Sequence, residues 1–274
     1  MTTGPIAEAD LNWFSVLGHH AARTPDKLIA VCGEDAMTYA EMAQRSTALA
    51  GGLHGRGIRA GDVVALLSYN RTEFLEAVFA ANYLGAVAMP VNWRLAAPEV
   101  RYILEHSRAR VLVCDGALVP LADAATSGME AALVRACISS GAGPGWVTLA
   151  DLHDVSSPPP RATAGADDCH RLMYTSGTTG RPKGVMITHG NLAWKNLAHL
   201  VEFGFTGTDL GLACGPLYHV GALDLTTTSL IAAGATTIIH RLFEPRAVVD
   251  EIERSRVTTV WLAPAMVNAI MALP

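Results

Sequence analysis

The chain has no CxxC pair, no stripe of lysine and arginine, no basic-then-apolar leader and no repeat of fixed period, and each absence removes a class of function. The five cysteines, Cys32, Cys114, Cys137, Cys169 and Cys214, stand alone at wide spacings. They suggest neither a disulfide scaffold nor a zinc site, and a reducing cytoplasm is the expected compartment. Basic side chains number 20 against 25 acidic ones, for a formal charge of −5, and none are arrayed to neutralise successive phosphates. Nucleic acid is therefore not an expected partner. The opening "MTTGPIAEADLNWF" carries acidic groups where a signal peptide would be basic, so none is expected, and Asn70-Arg71-Thr72 reads as a helix start, not a glycosylation site. Only 16% of residues are charged, yet the best membrane candidate, "VGALDLTTTSLIAAGATTII" at 220–239, is interrupted by Asp224, a threonine run and Gly234. A buried helix followed by a buried strand is expected there, and no transmembrane segment.

What is present is a large store of apolar residues, half of the 274, enough to bury the core of one large or two modest domains. Apolar β-branched runs alternate with longer helical patterns. Strands are expected at 27–33, 62–68 and in "AVAMPV" and "RVLVCD". A helix opens with Thr38 and Glu41 at capping-box spacing, and a second repeats the device with Asn70 and Glu73. From Gly141 to Asp168 the composition turns to Gly, Pro and Ser, which reads as a linker or exposed crossing. A second strand–helix series follows, closing with "EPRAVVDEIERSR" and "VTTVWLAP". The fold class is α/β, with two layered subdomains of largely parallel sheet, 1–160 and 161–274.

One stretch carries chemistry. "MYTSGTTGRPKGVMITHGN" (173–191) crowds hydroxyls, glycines and one lysine between two apolar runs. Inward-pointing backbone N–H groups hold a polyanion best where side chains are absent, as at Gly177, Gly180 and Gly184. Thr175, Ser176, Thr178 and Thr179 add hydroxyls for phosphate oxygens or Mg²⁺, Lys183 adds one full charge, and Pro182 stiffens the turn. A plain glycine-rich hairpin is the alternative, since Ser, Thr and Gly populate any turn. A Walker-A loop is not, because Gly184 and a strand follow Lys183 where that motif needs Ser or Thr and a helix.

"YTSGTTGRPKGV" closely resembles the signature loop of the adenylate-forming superfamily. The resemblance extends to "LGAVAMPVNWRLAAPEVRYIL" (84–104), "PLYHVGAL" (216–223) and "RVTTVWLAPAMVNAIM", in the family's order from about Trp13 to Pro274. The acyl-CoA synthetase branch is the closer match. The resemblance implies the large N-terminal domain of such an enzyme, and an AMP-forming acid–thiol ligase activity. A carboxylate would attack the α-phosphorus of ATP, and the thiol of CoA, or of a carrier protein, would then displace AMP. It places Thr175, Ser176, Gly177, Thr178, Thr179, Gly180 and Lys183 around the ATP phosphates, with Thr175 as a Mg²⁺ ligand. It also places His219, Val220, Gly221 and Asp224 at the acid, with His219 and Lys183 as the catalytic residues.

Three of these assignments have local alternatives. His219 could simply cap the following helix. Asp224 could turn outward at a helix start, or face the pocket with Thr227 or Thr228 and contact a polar acid. Arg241 could meet a CoA phosphate or end a strand in solvent. The resemblance further implies that 1–274 is the front half of the large domain, without the later glutamate of the Mg²⁺ site or the lysine of the mobile C-terminal domain. Little or no ligase activity is then expected of the chain alone, and exposed apolar surface would favour a homo-oligomer. A non-catalytic half-protein that binds a nucleotide, an acyl group or a partner is the reading from another class.

Overall fold

The computed structural model describes residues 10–129, 133–139, 142–156, 158–175 and 181–274. The chain runs through α1 (Trp13–Arg23), β1 (Leu28–Cys32), β2 (Asp35–Thr38), α2 (Tyr39–Gly55), β3 (Val63–Leu67), α3 (Thr72–Tyr83), β4 (Val87–Pro90), α4 (Ala97–Ser107) and β5 (Ala109–Cys114). Next come α5 (Val119–Thr126), β6 (Val134–Cys137), β7 (Val147–Thr148), β8 (Cys169–Thr175), β9 (Lys183–Thr188), α6 (His189–Phe203) and β10 (Leu210–Ala213). A broken helix follows: α7 (Val220–Ala222), a π-helical turn (Leu223–Thr228) and α8 (Ser229–Ala233). The chain closes with β11 (Thr236–Ile239), α9 (Pro245–Ser255), β12 (Thr259–Val260) and α10 (Pro264–Met271). Among the described residues no helix is long and apolar enough to cross a membrane.

The strands form two sheets. One has the order β7-β6-β5-β3-β4-β8-β9 and the other β12-β10-β11-β1-β2, and all pairs are parallel except β8–β9 and β1–β2. Each sheet draws strands from both sides of residue 160. In β3, successive side chains point to opposite faces. Val64 and Leu66 join α1, α2 and α3 in a core between the sheets, with Trp13, Leu17, Tyr39, Leu49 and Phe79. Val63, Ala65 and Leu67 pack outward on Val100, Ile103 and Leu104 of α4. Leu212 and Cys214 meet Val248 of α9 on the far face of the second sheet. The result is five layers, helix–sheet–helix–sheet–helix, as expected of an α/β chain.

Two local expectations are corrected. Thr38 does cap α2, with its side chain and that of Glu41 bonded reciprocally to the backbone. Asn70 does not repeat the device: α3 begins after Arg71, without a side-chain cap. Instead Asn70 is buried, donating to the carbonyls of Gly215 (2.7 Å) and His240 (3.0 Å) and accepting from the Leu217 N–H (2.8 Å). Three long-range bonds, two of them buried, outweigh one exposed cap. The stretch 141–168 is also more than a linker. β7 adds to the seven-stranded sheet, and Leu149 and Leu152 are buried. Few apolar residues suffice because the backbone lies directly on α2, where a Cβ at Gly52 would come within 1.5 Å of the Leu152 oxygen.

Candidate active site

β8 and β9 pair antiparallel, with Thr175 opposite Lys183. Directly opposed residues share a face, so the Thr175 and Lys183 side chains project from one face of the hairpin, both exposed, where the loop begins and ends. Ser176, Gly177, Thr178, Thr179 and Gly180 lie outside the described residues. The feet of the loop are fixed by α4. The Tyr102 hydroxyl donates to the Pro182 carbonyl (3.3 Å), the Arg181 guanidinium lies 5.4 Å over the Tyr102 ring, and His106 Nδ1 is 2.7 Å from the Tyr174 hydroxyl. Burial raises the Tyr174 pKa, with the neighbouring Tyr102 adding to it.

The second wall is the turn from β10 into α7, tied down by Asn70. His219 is the N-cap: its Nδ1 accepts the Gly221 N–H at 3.2 Å. That fixes the chemistry of the ring. With Nδ1 accepting, a neutral imidazole carries its proton on Nε2, which is left as the donor. His219 and Val220 are exposed and Gly221 is buried. The His219 ring stacks on Trp261, with centroids 6.3 Å apart and planes inclined by 26°.

Asp224 follows neither arrangement expected for it. It is buried in the π-helical turn and forms an ion pair with Arg171 of β8, which is itself 1% exposed. A carboxylate in this apolar helix needs a partner, and the partner lies 53 positions away in the chain. Lys195 of α6 completes the network. Its ammonium donates to the Asp224 carbonyl (2.6 Å), Thr228 Oγ1 (2.7 Å), Ser229 Oγ (3.1 Å) and Asn196 Oδ1. A π-helical turn displaces backbone hydrogen bonds, and Lys195 supplies a donor to a carbonyl within it. Burial pushes the Lys195 pKa down to about 7, although the Asp224 charge pulls the other way. Burial and the Arg171 charge likewise hold His170 well below the usual histidine range.

The bridge couples the two walls. Arg171 lies four residues, about 13 Å, along β8 from Thr175, and Asp224 lies in the helix that His219 caps. Arg171, Lys195 and Asn70 were missed from sequence. A cation inside the strand "CHRLMYT", matched to an anion inside an apolar helix, was the available signal.

Arg241 stands elsewhere in the fold. It donates to Asp115 (2.9 Å), shares that carboxylate with Arg71 and lies 4.9 Å over the Tyr69 ring. It is exposed just past the end of β11, as a solvated strand end would be, and is also paired. With Arg71, His240 and Arg254 it lines a cleft of about 820 Å³ between the five-stranded sheet and α9. Among the described residues no cluster of three His, Cys, Asp or Glu side chains could hold a metal ion.

Two layered, mostly parallel sheets match the large N-terminal domain of adenylate-forming enzymes. The chain belongs to the AMP-binding enzyme family, whose model matches residues 17–274. It is 39% identical over 242 residues to a feruloyl-CoA synthase of an Amycolatopsis species, covering 88% of this chain and 46% of that protein. It is 33% identical over 240 residues to a long-chain-fatty-acid–CoA ligase of Thermus thermophilus, covering 83% of this chain and 43% of that one. Its fold matches the ATP-bound crystal structure of MatB from Rhodopseudomonas palustris with a TM-score of 0.84 at 27% identity, over 97% of this chain and 52% of that one. The chain spans about half the length of the curated relatives it matches.

Proposed function

We propose that the chain carries the ATP- and acid-binding part of an acid–CoA ligase, which activates a carboxylic acid as its adenylate and passes the acyl group to CoA. The observation that carries this reading is the Thr175–Lys183 pair at the mouth of the hydroxyl-rich loop, in a member of the AMP-binding family. The donor set fits a polyphosphate: an exposed lysine and an exposed threonine at opposed positions of the strand pair, and no ion pair to Lys183 among the described residues.

The carboxylate attacks the α-phosphorus, the bond from that phosphorus to the bridging oxygen breaks, and pyrophosphate leaves. Lys183 and Thr175, with Ser176, Gly177, Thr178, Thr179 and Gly180, hold the β- and γ-phosphates and stabilise the charge that collects on the leaving group. Mg²⁺, held in part by the Thr175 hydroxyl, would neutralise further phosphate charge. His219 donates from Nε2 to a carboxylate or phosphate oxygen, and Val220 and Gly221 form the adjoining acid wall. Asp224 acts behind that wall through Arg171 and Lys195, without touching the acid. A thiolate then attacks the acyl carbonyl, AMP leaves and a thioester forms. CoA is favoured as the acceptor by the names of the relatives. Asp115 already neutralises Arg241, which is left out of the CoA contacts.

The test is acid-dependent ATP–pyrophosphate exchange by the native-length protein, followed by detection of an acyl-CoA. Exchange that depends on acid, and thioester that depends on CoA, support the reading. Absence of exchange across a broad panel of acids overturns it.

A further inference from the structure

Side chains alternate between the two faces of a strand pair. Thr175 and Lys183, opposed across β8 and β9, project to one face; the pair beside them, Tyr174 and Gly184, belongs to the other. On that second face the Tyr174 ring lies across the hairpin. A Cβ built on Gly184 would come within 3.2 Å of its Cε2 and Cζ and 3.4 Å of its hydroxyl oxygen. The missing side chain at 184 is therefore space that the tyrosine ring uses, on the side away from Thr175 and Lys183.

That ring is met by α4. Tyr102 and His106 stand four residues apart and so share one face of the helix, with ring centroids 5.3 Å apart. His106 reaches the first strand: its Nδ1 is 2.7 Å from the Tyr174 hydroxyl, and the two rings meet edge to face with centroids 5.9 Å apart. Tyr102 reaches the second: its hydroxyl donates to the Pro182 carbonyl (3.3 Å), and its ring lies beneath the Arg181 guanidinium (5.4 Å). The two residues held, Tyr174 and Pro182, immediately precede Thr175 and Lys183. α4 itself is anchored, with Val100, Ile103 and Leu104 buried against the seven-stranded sheet. Among the described residues β9 has only β8 beside it in that sheet, and β4 is paired with β8 at Arg171, before Tyr174 is reached. Side chains of α4 hold the end of the hairpin that lies beyond.

We propose that Tyr102 and His106 are positioning residues for ATP: through Pro182 and Tyr174 they fix the end of the hairpin, so that Thr175 and Lys183 face the phosphates from a set place. This rests on the ATP-binding part of the acid–ligase reading. A lysine ammonium rides on a flexible four-carbon stem, so its aim is set by where the backbone holds that stem. Donors already in place stabilise phosphate charge without reorganising. Tyr102 is half-buried and His106 is exposed, so their bonds add little to the stability of the fold, and their loss should show in ATP handling instead. The turn that carries His219 hangs from Asn70 and not from α4. Acid use should be spared.

The experiment is titration calorimetry of the native-length protein with ATP in the presence of Mg²⁺, comparing wild type with His106→Ala, Tyr174→Phe, the double variant of those two, and Tyr102→Phe. Each single variant should weaken ATP binding about three- to tenfold, the loss of one hydrogen bond. His106→Ala and Tyr174→Phe remove the same bond, so the double variant should bind about as weakly as His106→Ala alone. Melting temperatures should stay within about 2 °C of wild type. In pyrophosphate exchange the KM for ATP should rise in the same variants, with the KM for the acid within about twofold of wild type. Unchanged ATP affinity in the single variants, losses that simply add in the double variant, a matching fall in melting temperature, or an equal rise in the KM for the acid would each overturn the inference while leaving the ligase reading intact. A wild type that binds no ATP overturns both.

Discussion

Replacing Asp224 by Asn removes one charge and almost no volume, and the fold should respond strongly. Arg171 is 1% exposed and its ion-pair partner is Asp224. After the substitution a buried guanidinium remains close to a second cation, Lys195, with no anion between them. Breaking a buried pair from one side costs about 3–5 kcal/mol, because the remaining charge stays desolvated. That is a large share of the roughly 5–15 kcal/mol that holds a domain together. For a chain of this size each kcal/mol moves the melting temperature by about 2–4 °C. Asp224→Asn should therefore melt about 6–20 °C lower, by calorimetry, and show a lower urea midpoint at constant m. The double variant Arg171→Met/Asp224→Asn, which removes both charges, should recover most of the loss. An Asp224→Asn protein within about 1 kcal/mol of wild type would refute the reasoning, since a pair whose breakage costs so little is not desolvated.

Other outcomes follow from the same contacts. Native Lys195 loses its proton near pH 7 while the unfolded chain keeps it to about 10.5, so the unfolded state binds more protons and stability should rise with pH from 7 to 8.5, by at most about 1.4 kcal/mol per unit. Urea titrations of Lys195→Met should show that rise flattened; above pH 9 the buried cysteines, whose pKa values burial raises, act in the opposite sense. Lys183→Ala should raise the KM for ATP about ten- to a hundredfold, the loss of one or two charge-assisted bonds, with circular dichroism and melting unchanged. His219→Asn should keep the helix cap, and so the stability, while lowering kcat by about tenfold or more if Nε2 donates in the transition state. Asn70→Ala should cost about 2–3 kcal/mol by urea melts and weaken acid use more than ATP use, because the turn it holds carries His219 and not Lys183.

The sequence was most legible where structure is local. The run 63–67 reads as a buried strand and is one; Thr38 and Glu41 read as a capping box and form one; the hydroxyl-rich loop joins two strands whose apolar residues announce them. Hidden from sequence was whatever depends on partners far along the chain. β1 lies beside β11 because two sheets must share one helical layer, and no local pattern states strand order. Asn70 looked like a cap because a cap is local, whereas its three partners lie 145 to 170 positions away. Asp224 looked misplaced because Arg171 was not yet beside it.

The central claim is that the hairpin mouth at Thr175 and Lys183 grips the tail of a nucleotide. A crystal structure of the native-length protein with an unhydrolysable ATP analogue tests it most directly. The account predicts the β- and γ-phosphates within hydrogen-bond reach of Lys183 Nζ, with the α-phosphate turned toward His219. Phosphates found instead in the cleft beside Arg71, Arg241 and Arg254, with the hairpin mouth empty, would contradict it.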